Sequence, residues 1–203
     1  MWIIKIGGSW LNNPLLNVII KNLNTHSKNH NIVIICGGGC FADSVRLVYD
    51  AKRMSEKTGH YIALKSTEMF ASILKEINKE ICLIKDINLL SDFNHQLKIW
   101  LPSFILKNET SFIKSWESTS DSVAAWLHTK LKSKGLIYVK SLSLEKKKYK
   151  LKYLQEKGVL DKNVDKYLLN QKNIKIIGAE IIDLLNKISD WKDLYLNLNE
   201  VEL

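Results

Sequence analysis

Arginine and long apolar runs are scarce in this sequence. Of its 30 basic residues only two, Arg46 and Arg53, are arginines. Nucleic-acid sites usually rely on arginine, whose fork of donors fits phosphates and base edges, so we expect no nucleic-acid partner despite a formal net charge of +9. No apolar stretch approaches the length of a membrane span, and the N-terminus does not resemble a secretory signal. We therefore expect no membrane partner either.

The densest basic segment, EKKKYKLKY at 145–153, allows two interpretations. Its tyrosines could stack on bases between phosphate-binding lysines. Runs of charge more often form a solvated face of a protein. We therefore expect a solvated helix or loop in this segment.

The three cysteines, Cys36, Cys40 and Cys82, lack the paired spacing of a metal site. They lie beside or inside apolar runs, where a buried free thiol is the usual state. Free thiols suit a reducing compartment. We therefore expect a cytoplasmic protein with buried free thiols and no metal site built by the chain itself.

The pattern of the chain predicts one domain, residues 1–203. Only two prolines are present, 46% of the residues are hydrophobic, and no linker or repeat divides the sequence. Short β-branched runs predict strands, and longer amphipathic runs predict helices. The strands are expected at 2–6, 32–36, 81–85, 98–102, 135–140 and 173–178, and the helices at about 14–28, 41–55, 60–78 and 119–131. This alternation predicts an α/β fold, a three-layer αβα sandwich with a mostly parallel central sheet.

Two glycine-rich segments follow the first two predicted strands. The first strand ends in Lys5, Gly7, Gly8 and Ser9, and the second is followed by Gly37–Gly39. Such loops meet at one edge of a parallel sheet, where backbone N–H groups can bind phosphate oxygens. Neither a Walker A motif nor a dinucleotide-binding motif is present. Lys5 is either a solvated charge at a strand end or a cation that neutralises phosphate, and the glycines form either tight turns or an anion site.

Asp121 also has two interpretations. It lies in the first turn of the helix predicted at 119–131, where the positive helix end favours an acid and Thr119 or Ser120 could form the cap. Cap residues alone rarely come as densely as Ser120, Asp121 and Ser122. This density favours a functional role for Asp121.

Four further residues could contact a substrate. Asp43 and Arg46 either form an ordinary ion pair at i,i+3 or bind an ammonium group and a phosphate. His60 is either a surface or cap histidine or a substrate contact. Tryptophans are usually core residues, but Trp116 lies next to the polar TSDS segment and could line a pocket.

Three segments resemble the motifs of the amino acid kinase superfamily: KIGGS at the N-terminus, the GGG loop after the second strand, and SWESTSDSVAAWL at 115–127. They occur in the same order, and the resemblance extends over about residues 1–140. More narrowly, GGGCFADSVR, GHYIALKSTEMFA, IWLPS and the last block resemble the small (5-(aminomethyl)furan-3-yl)methyl phosphate kinases of methanofuran biosynthesis, which occur in methanogens and, as homologues, in methylotrophic bacteria.

The resemblance implies an ATP-dependent kinase of a small phosphomonoester, with Mg²⁺ accompanying ATP. It implies that Lys5 bridges nucleotide and acceptor and that Asp121 orients this lysine. We expect the phosphate and nucleotide contacts to be Gly7, Gly8, Ser9, Ser120 and Lys140, and the substrate contacts to be Gly37, Gly38, Gly39, Asp43, Arg46, His60, Trp116 and Thr119. An acceptor-binding half at about 1–100 and a nucleotide-binding half at about 101–203 are also implied.

The chain departs from the superfamily pattern after Lys140. The usual acidic, glycine-containing loop is replaced by KSLSLEKKKYKLKY, and a later glycine-rich segment with a second lysine is not found. We hypothesise that Lys140 replaces the missing charge. Three alternatives stay open: a kinase of another phosphomonoester, a carboxylate or an amino acid; a non-catalytic binding or storage protein on the same fold; and, least favoured, a basic nucleic-acid binder.

The superfamily commonly forms dimers or larger rings, so a homo-oligomer is expected. The last residues, WKDLYLNLNEVEL, alternate like a strand. Such a strand would pair either within the sheet or across subunits.

Overall fold

The computed structural model describes the chain from Met1 to Leu203. Eight strands form one sheet: β1 (Trp2–Ile6), β2 (Ile32–Cys36), β3 (Cys82–Ile84), β4 (Lys98–Trp100), β5 (Gly135–Val139), β6 (Lys148–Lys150), β7 (Ile174–Ile177) and β8 (Asn199–Glu202). Their spatial order is β3-β4-β2-β1-β5-β7-β8-β6. Neighbouring strands are parallel except β7 and β8, which are antiparallel. The predicted mostly parallel sheet is confirmed.

Helices cover both faces of this sheet. They are α1 (Leu16–Ser27), α2 (Gly39–Lys52), α3 (Glu56–Ile77), α4 (Ser103–Asn108), α5 (Ser120–Leu131), α6 (Leu151–Glu156), α7 (Val164–Leu168), α8 (Ile181–Lys187) and α9 (Trp191–Asn197). One core packs the sheet against α5, α6 and α7, and the other packs it against α1, α3, α8 and α9. Side chains of β1 point alternately into the two cores, since Ile3 lies in the first core and Ile4 and Ile6 lie in the second. The αβα sandwich is confirmed.

The six predicted strands are present within two residues of their expected ends. Helix α3 begins at Glu56, four residues before the predicted start, because the Ser55 hydroxyl accepts a hydrogen bond from the Thr58 N–H at 3.3 Å and caps the helix. Helix α1 begins at Leu16, after Pro14. Beyond residue 140, the sequence analysis did not predict strand β6 or the four short helices α6 to α9.

Most of the C-terminal tail, residues 191–203, is helical, and only its last residues form a short strand. Residues Trp191–Asn197 are helical, because the Asp190 carboxylate accepts the Asp193 N–H at 2.9 Å and caps α9. The remaining residues form β8, which pairs with β7 and β6 inside the same sheet. Within the basic segment at 145–153, residues 148–150 form strand β6 with Tyr149 buried and both lysines exposed. The expectation of a helix or loop is therefore wrong for those three residues.

The cysteines are free, but they are not all buried. Cys36 is buried in β2 and Cys82 is half-buried, whereas Cys40 is exposed. Cys40 lies in the first turn of α2, where only Ala42 of the whole helix is buried. The expectation of a buried Cys40 is therefore wrong. No helix combines the length and hydropathy needed to cross a bilayer.

Candidate active site

Lys5 is buried near the middle of the sheet. It lies in β1 and is only 4% exposed. Its Nζ lies 2.8 Å from Oδ1 of Asp121. Because a buried ammonium group without a partner is strongly destabilising, this ion pair accounts for a lysine in an apolar strand. The interpretation of Lys5 as a solvated strand-end charge is wrong.

A second lysine reaches the same carboxylate. Lys140 follows β5 directly, and β5 lies beside β1, so both lysines are positioned near the carboxyl edge of the sheet. The Nζ of Lys140 lies 2.9 Å from Oδ1 and 2.8 Å from Oδ2 of Asp121. Burial lowers the pKa of Lys140 to about 8, although Asp121 opposes this effect. At neutral pH the side chain is therefore mostly protonated.

Asp121 joins the two lysines. It lies in the first turn of α5, where the positive end of the helix favours a carboxylate. Burial opposes ionisation, but Lys140 and Lys5 outweigh it and hold the pKa of Asp121 below its ordinary value. The Tyr138 hydroxyl donates to the Asp121 backbone carbonyl at 3.2 Å and anchors this turn to β5. We call Lys5, Asp121 and Lys140 the lysine–aspartate cluster.

The cap of α5 comes from a residue that the sequence analysis did not single out. Thr119 stands at the cap position, but its side chain makes no cap hydrogen bond. Instead, Oδ2 of Asp161 accepts hydrogen bonds from the N–H groups of Thr119 and Ser122. The expected cap by Thr119 or Ser120 is therefore wrong. Nothing local in the sequence marks Asp161, which lies 40 residues beyond Asp121.

The two glycine loops pack directly against each other. A Cβ on Gly8 would lie 2.2 Å from the backbone nitrogen of Gly39, and a Cβ on Gly37 would lie 2.3 Å from the backbone nitrogen of Gly8. Gly39 also has a φ of +54°. Close contact between the two backbones is thus sufficient reason for these glycines, quite apart from any ligand.

Only some of the expected phosphate-binding amides are free. The N–H of Gly7 donates to the carbonyl of Val139 at 2.9 Å, which continues the pairing of β1 with β5. The N–H groups of Gly8 and Ser9 have no backbone acceptor. The Ser9 hydroxyl lies 2.6 Å from the hydroxyl of Ser141. Gly7 is therefore bound within the sheet, whereas Gly8 and Ser9 keep N–H groups that could donate to a ligand.

A cavity of about 350 Å³ opens beside these loops. It contains most of the residues expected to bind phosphate or substrate: Gly8, Ser9, Gly37, Gly38, Gly39, Asp43, Arg46, His60, Trp116, Thr119 and Ser120. Residues that the sequence analysis did not single out also line it: Asn12, Cys40, Ala42, Ala63, Leu64, Thr67, Ser115 and Ser118. The lysine–aspartate cluster and Gly7 are not among the lining residues. The cluster adjoins the cavity through Ser120, the residue before Asp121.

One wall of the cavity is aromatic and cationic. The Arg46 guanidinium lies 5.8 Å from the centre of the Trp116 ring, and Tyr49 packs edge-on against the same ring at 5.0 Å. Arg46 also forms an ion pair of 2.6 Å with Asp43, as one interpretation of the sequence predicted. Both charged side chains are more than half exposed, so the pair stabilises the fold little. The Trp116 indole N–H is buried and has no partner.

His60 lies on α3, where it is buried in the cavity wall. Its Nε2 donates to the backbone carbonyl of Ser118 at 3.0 Å, and burial lowers its pKa below the ordinary value. The interpretation as a surface or cap histidine is therefore wrong. A neutral His60 fixes the position of Ser118 in the cavity wall.

A model described as the amino acid kinase family matches residues 1–143. The [5-(aminomethyl)furan-3-yl]methyl phosphate kinase of Methanocaldococcus jannaschii is 34% identical over 134 residues. The alignment covers 63% of this chain and 59% of the relative. The chain thus aligns with less than two thirds of that relative's length.

Solved structures share the fold over a longer span. The uridylate kinase of Archaeoglobus fulgidus superposes with a TM-score of 0.70 at 16% identity, covering 99% of both chains. The UMP kinase of Ureaplasma parvum gives a TM-score of 0.62 at 14% identity, covering 92% of this chain and 94% of that one. The aspartate kinase of Synechocystis gives 0.65 at 11% identity, covering 88% of this chain and 37% of that one. These likenesses concern the fold alone.

Proposed function

The chain belongs to the amino acid kinase family, and we propose that it transfers a phosphoryl group from ATP to a small phosphomonoester. The observation that carries this proposal is the pair of buried ammonium groups, Lys5 and Lys140, held by Asp121 beside two glycine loops. Phosphoryl transfer requires little covalent assistance from a protein. It requires positioning of the reactants and neutralisation of the charged phosphoryl oxygens.

The lysines supply the neutralising charge. Bound ATP supplies the phosphoryl group: an acceptor phosphate oxygen forms a bond to the γ-phosphorus while the bond from that phosphorus to the bridging oxygen breaks, and ADP leaves with the electron pair. Lys5 and Lys140 stabilise the oxygens around the transferred group, and Asp121 orients both ammonium groups. The free N–H groups of Gly8 and Ser9 add uncharged donors.

Magnesium would enter with the nucleotide. The structure contains no group of three or more His, Cys, Asp or Glu side chains that could hold a metal ion. Both carboxylate oxygens of Asp121 already contact lysine. Kinase Mg²⁺ is commonly held by substrate phosphates with one or two carboxylates. The phosphates would therefore supply most of its ligands here.

The cavity is the proposed acceptor site, and the M. jannaschii relative suggests the acceptor [5-(aminomethyl)furan-3-yl]methyl phosphate. Trp116 offers a flat surface for a furan ring, and Arg46 offers a cation for its phosphate. We propose Asp43, which is paired with Arg46 in the structure, as the partner of the aminomethyl ammonium group. This acceptor would enter through the N-terminal half, while the nucleotide would bind mainly through residues beyond about 100. A cytoplasmic homo-oligomer remains part of the proposal.

A panel of acceptors tests the proposal. Release of ADP would be measured with Mg²⁺–ATP and the furan phosphate, and in parallel with UMP, aspartate and other phosphomonoesters. We expect release that depends on the furan phosphate and is lost in Lys5→Ala, with Lys162→Ala as the matched control because that lysine is exposed. Turnover with a different acceptor would correct the substrate. No turnover with any acceptor by a folded protein would favour a non-catalytic binding protein.

A further inference from the structure

Asp161 comes from a part of the chain beyond the segment that matches the family model, which ends at residue 143. It lies just before α7, and the segment 161–163 is tied to residues 115–122 at several points. Oδ2 of Asp161 holds the N–H groups of Thr119 and Ser122. The side-chain amide of Asn163 donates to the hydroxyl of Ser118 at 2.8 Å. This segment therefore fixes both the first turn of α5 and the adjacent cavity wall.

The Asp161 carboxylate carries a cost beyond that of an ordinary helix cap. Its second oxygen, Oδ1, is buried and has no hydrogen-bond partner. Burial and the neighbouring Asp121 raise the pKa of Asp161 to about 6, although the bonds from Thr119 and the charge of Lys5 oppose this rise. An asparagine could accept the same N–H bonds without this cost in ionisation. What asparagine could not supply is a second negative charge beside two buried lysines.

We infer that Asp161 is a positioning residue of the proposed phosphoryl transfer, because it fixes the turn of α5 that carries Asp121 and balances the charge of the two lysines. The inference rests on the proposed function. With Asp161 ionised, two carboxylates face two ammonium groups. The loss of its side chain would let the first turn of α5 move, and a displacement of about 1 Å at a phosphoryl-transfer site can cost about a hundredfold in rate.

The pH dependence of the charge balance involves every ionisable group that faces Asp161. These groups lie on β1, at the start of α5, at the end of β5 and on α7, and they are Lys5, Asp121, Tyr138, Lys140 and Tyr167. Asp121, with its lowered pKa, and Lys140, with a pKa of about 8, keep their charges around pH 6, and both tyrosines have raised pKa values and remain neutral there. Asp161 is therefore the group in this set that gains a proton between neutral pH and pH 5.

The test compares Asp161→Ala and Asp161→Asn with Asp165→Asn, an exposed acid one turn away. At neutral pH, kcat of Asp161→Ala should fall at least tenfold, with a smaller change in KM for ATP. Asp161→Asn should keep the cap but lose the charge, so its kcat at neutral pH should fall to about the level that the wild type reaches below about pH 6. The wild type should lose activity below about pH 6, and Asp161→Asn should lack this limb. Equal kcat in Asp161→Ala and Asp165→Asn, or an unchanged acid limb in Asp161→Asn, would overturn the inference.

A second measurement does not depend on activity. Amide hydrogen exchange at Thr119 and Ser122 should be faster in Asp161→Ala than in Asp165→Asn, and Asp161→Asn should restore protection. Unchanged protection in Asp161→Ala would overturn the inference whatever the activity. If instead the wild type shows no acceptor-dependent ADP release while the exchange result is as expected, the proposed function fails and the positioning of α5 by Asp161 stands.

Discussion

Asp121→Asn should destabilise the protein through repulsion between the two lysines. Both ammonium nitrogens lie within 2.9 Å of the same carboxylate oxygen, so they are less than about 6 Å apart. Two positive charges at this distance repel each other by about 3 kcal/mol at an effective dielectric constant of about 20. Removing one partner of a buried ion pair typically costs 3–5 kcal/mol. We therefore expect a loss of about 3–5 kcal/mol in the free energy of unfolding at neutral pH.

Urea unfolding followed by circular dichroism would measure this loss. The matched variant is Lys140→Met, which leaves a balanced pair of Lys5 and Asp121 and should cost much less. In the double variant Asp121→Asn/Lys140→Met the repulsion is removed. Its stability should therefore exceed that of Asp121→Asn alone, and this non-additivity measures the coupling between the two sites.

The loss should also shrink as the pH rises. Lys140 has a pKa near 8 in the fold and an ordinary value of 10.5, so the unfolded chain binds more protons between these values and stability rises with pH in that window. Without Asp121 the window begins at a lower pH. A loss below about 1 kcal/mol at neutral pH, or a double variant whose loss is the sum of the single losses, would refute the charge argument.

Two further predictions concern the cavity and the glycine loops. Iodoacetamide should modify Cys40, which is exposed and lines the cavity. It should leave Cys36 unmodified, because burial raises the pKa of that thiol. Mass spectrometry would locate the adduct, and a bound acceptor should slow the formation of the Cys40 adduct. Gly8→Ala should destabilise the protein more than Gly158→Ala. The Cβ added at Gly8 would lie 2.2 Å from the Gly39 nitrogen. A Cβ added at Gly158 would meet no heavy atom within 4 Å, so only the φ of +67° opposes that change. Equal thermal shifts in the two glycine variants would contradict the close contact between the loops.

The fold was largely predictable because its parallel strands are short, β-branched and regularly separated by amphipathic helices. The position of Lys5 was predictable in part, since a lysine before a glycine loop at the edge of a parallel sheet indicates an anion site. The partnership of Asp121 with Lys5 came from the resemblance, and the structure places their side chains in contact.

The remaining features depend on contacts between residues distant in sequence. Asp161 caps a helix that begins 41 residues earlier, and no local pattern distinguishes it from a surface acid. The alternation of the C-terminal tail suggested a strand, but the cap at Asp190 favours a helix over its first seven residues. The glycines were interpreted through a ligand, and packing of one loop against the other turned out to be sufficient to require them.

The most direct test of the central claim follows the γ-phosphate itself. Wild-type protein would be incubated with Mg²⁺, ATP labelled in its γ-phosphate and [5-(aminomethyl)furan-3-yl]methyl phosphate, and the label would be traced in the separated products. The account predicts label in a diphosphate of the acceptor, formed in equal amount to ADP and absent with Lys5→Ala. Label released only as inorganic phosphate, or transferred equally well by Lys5→Ala, would contradict it.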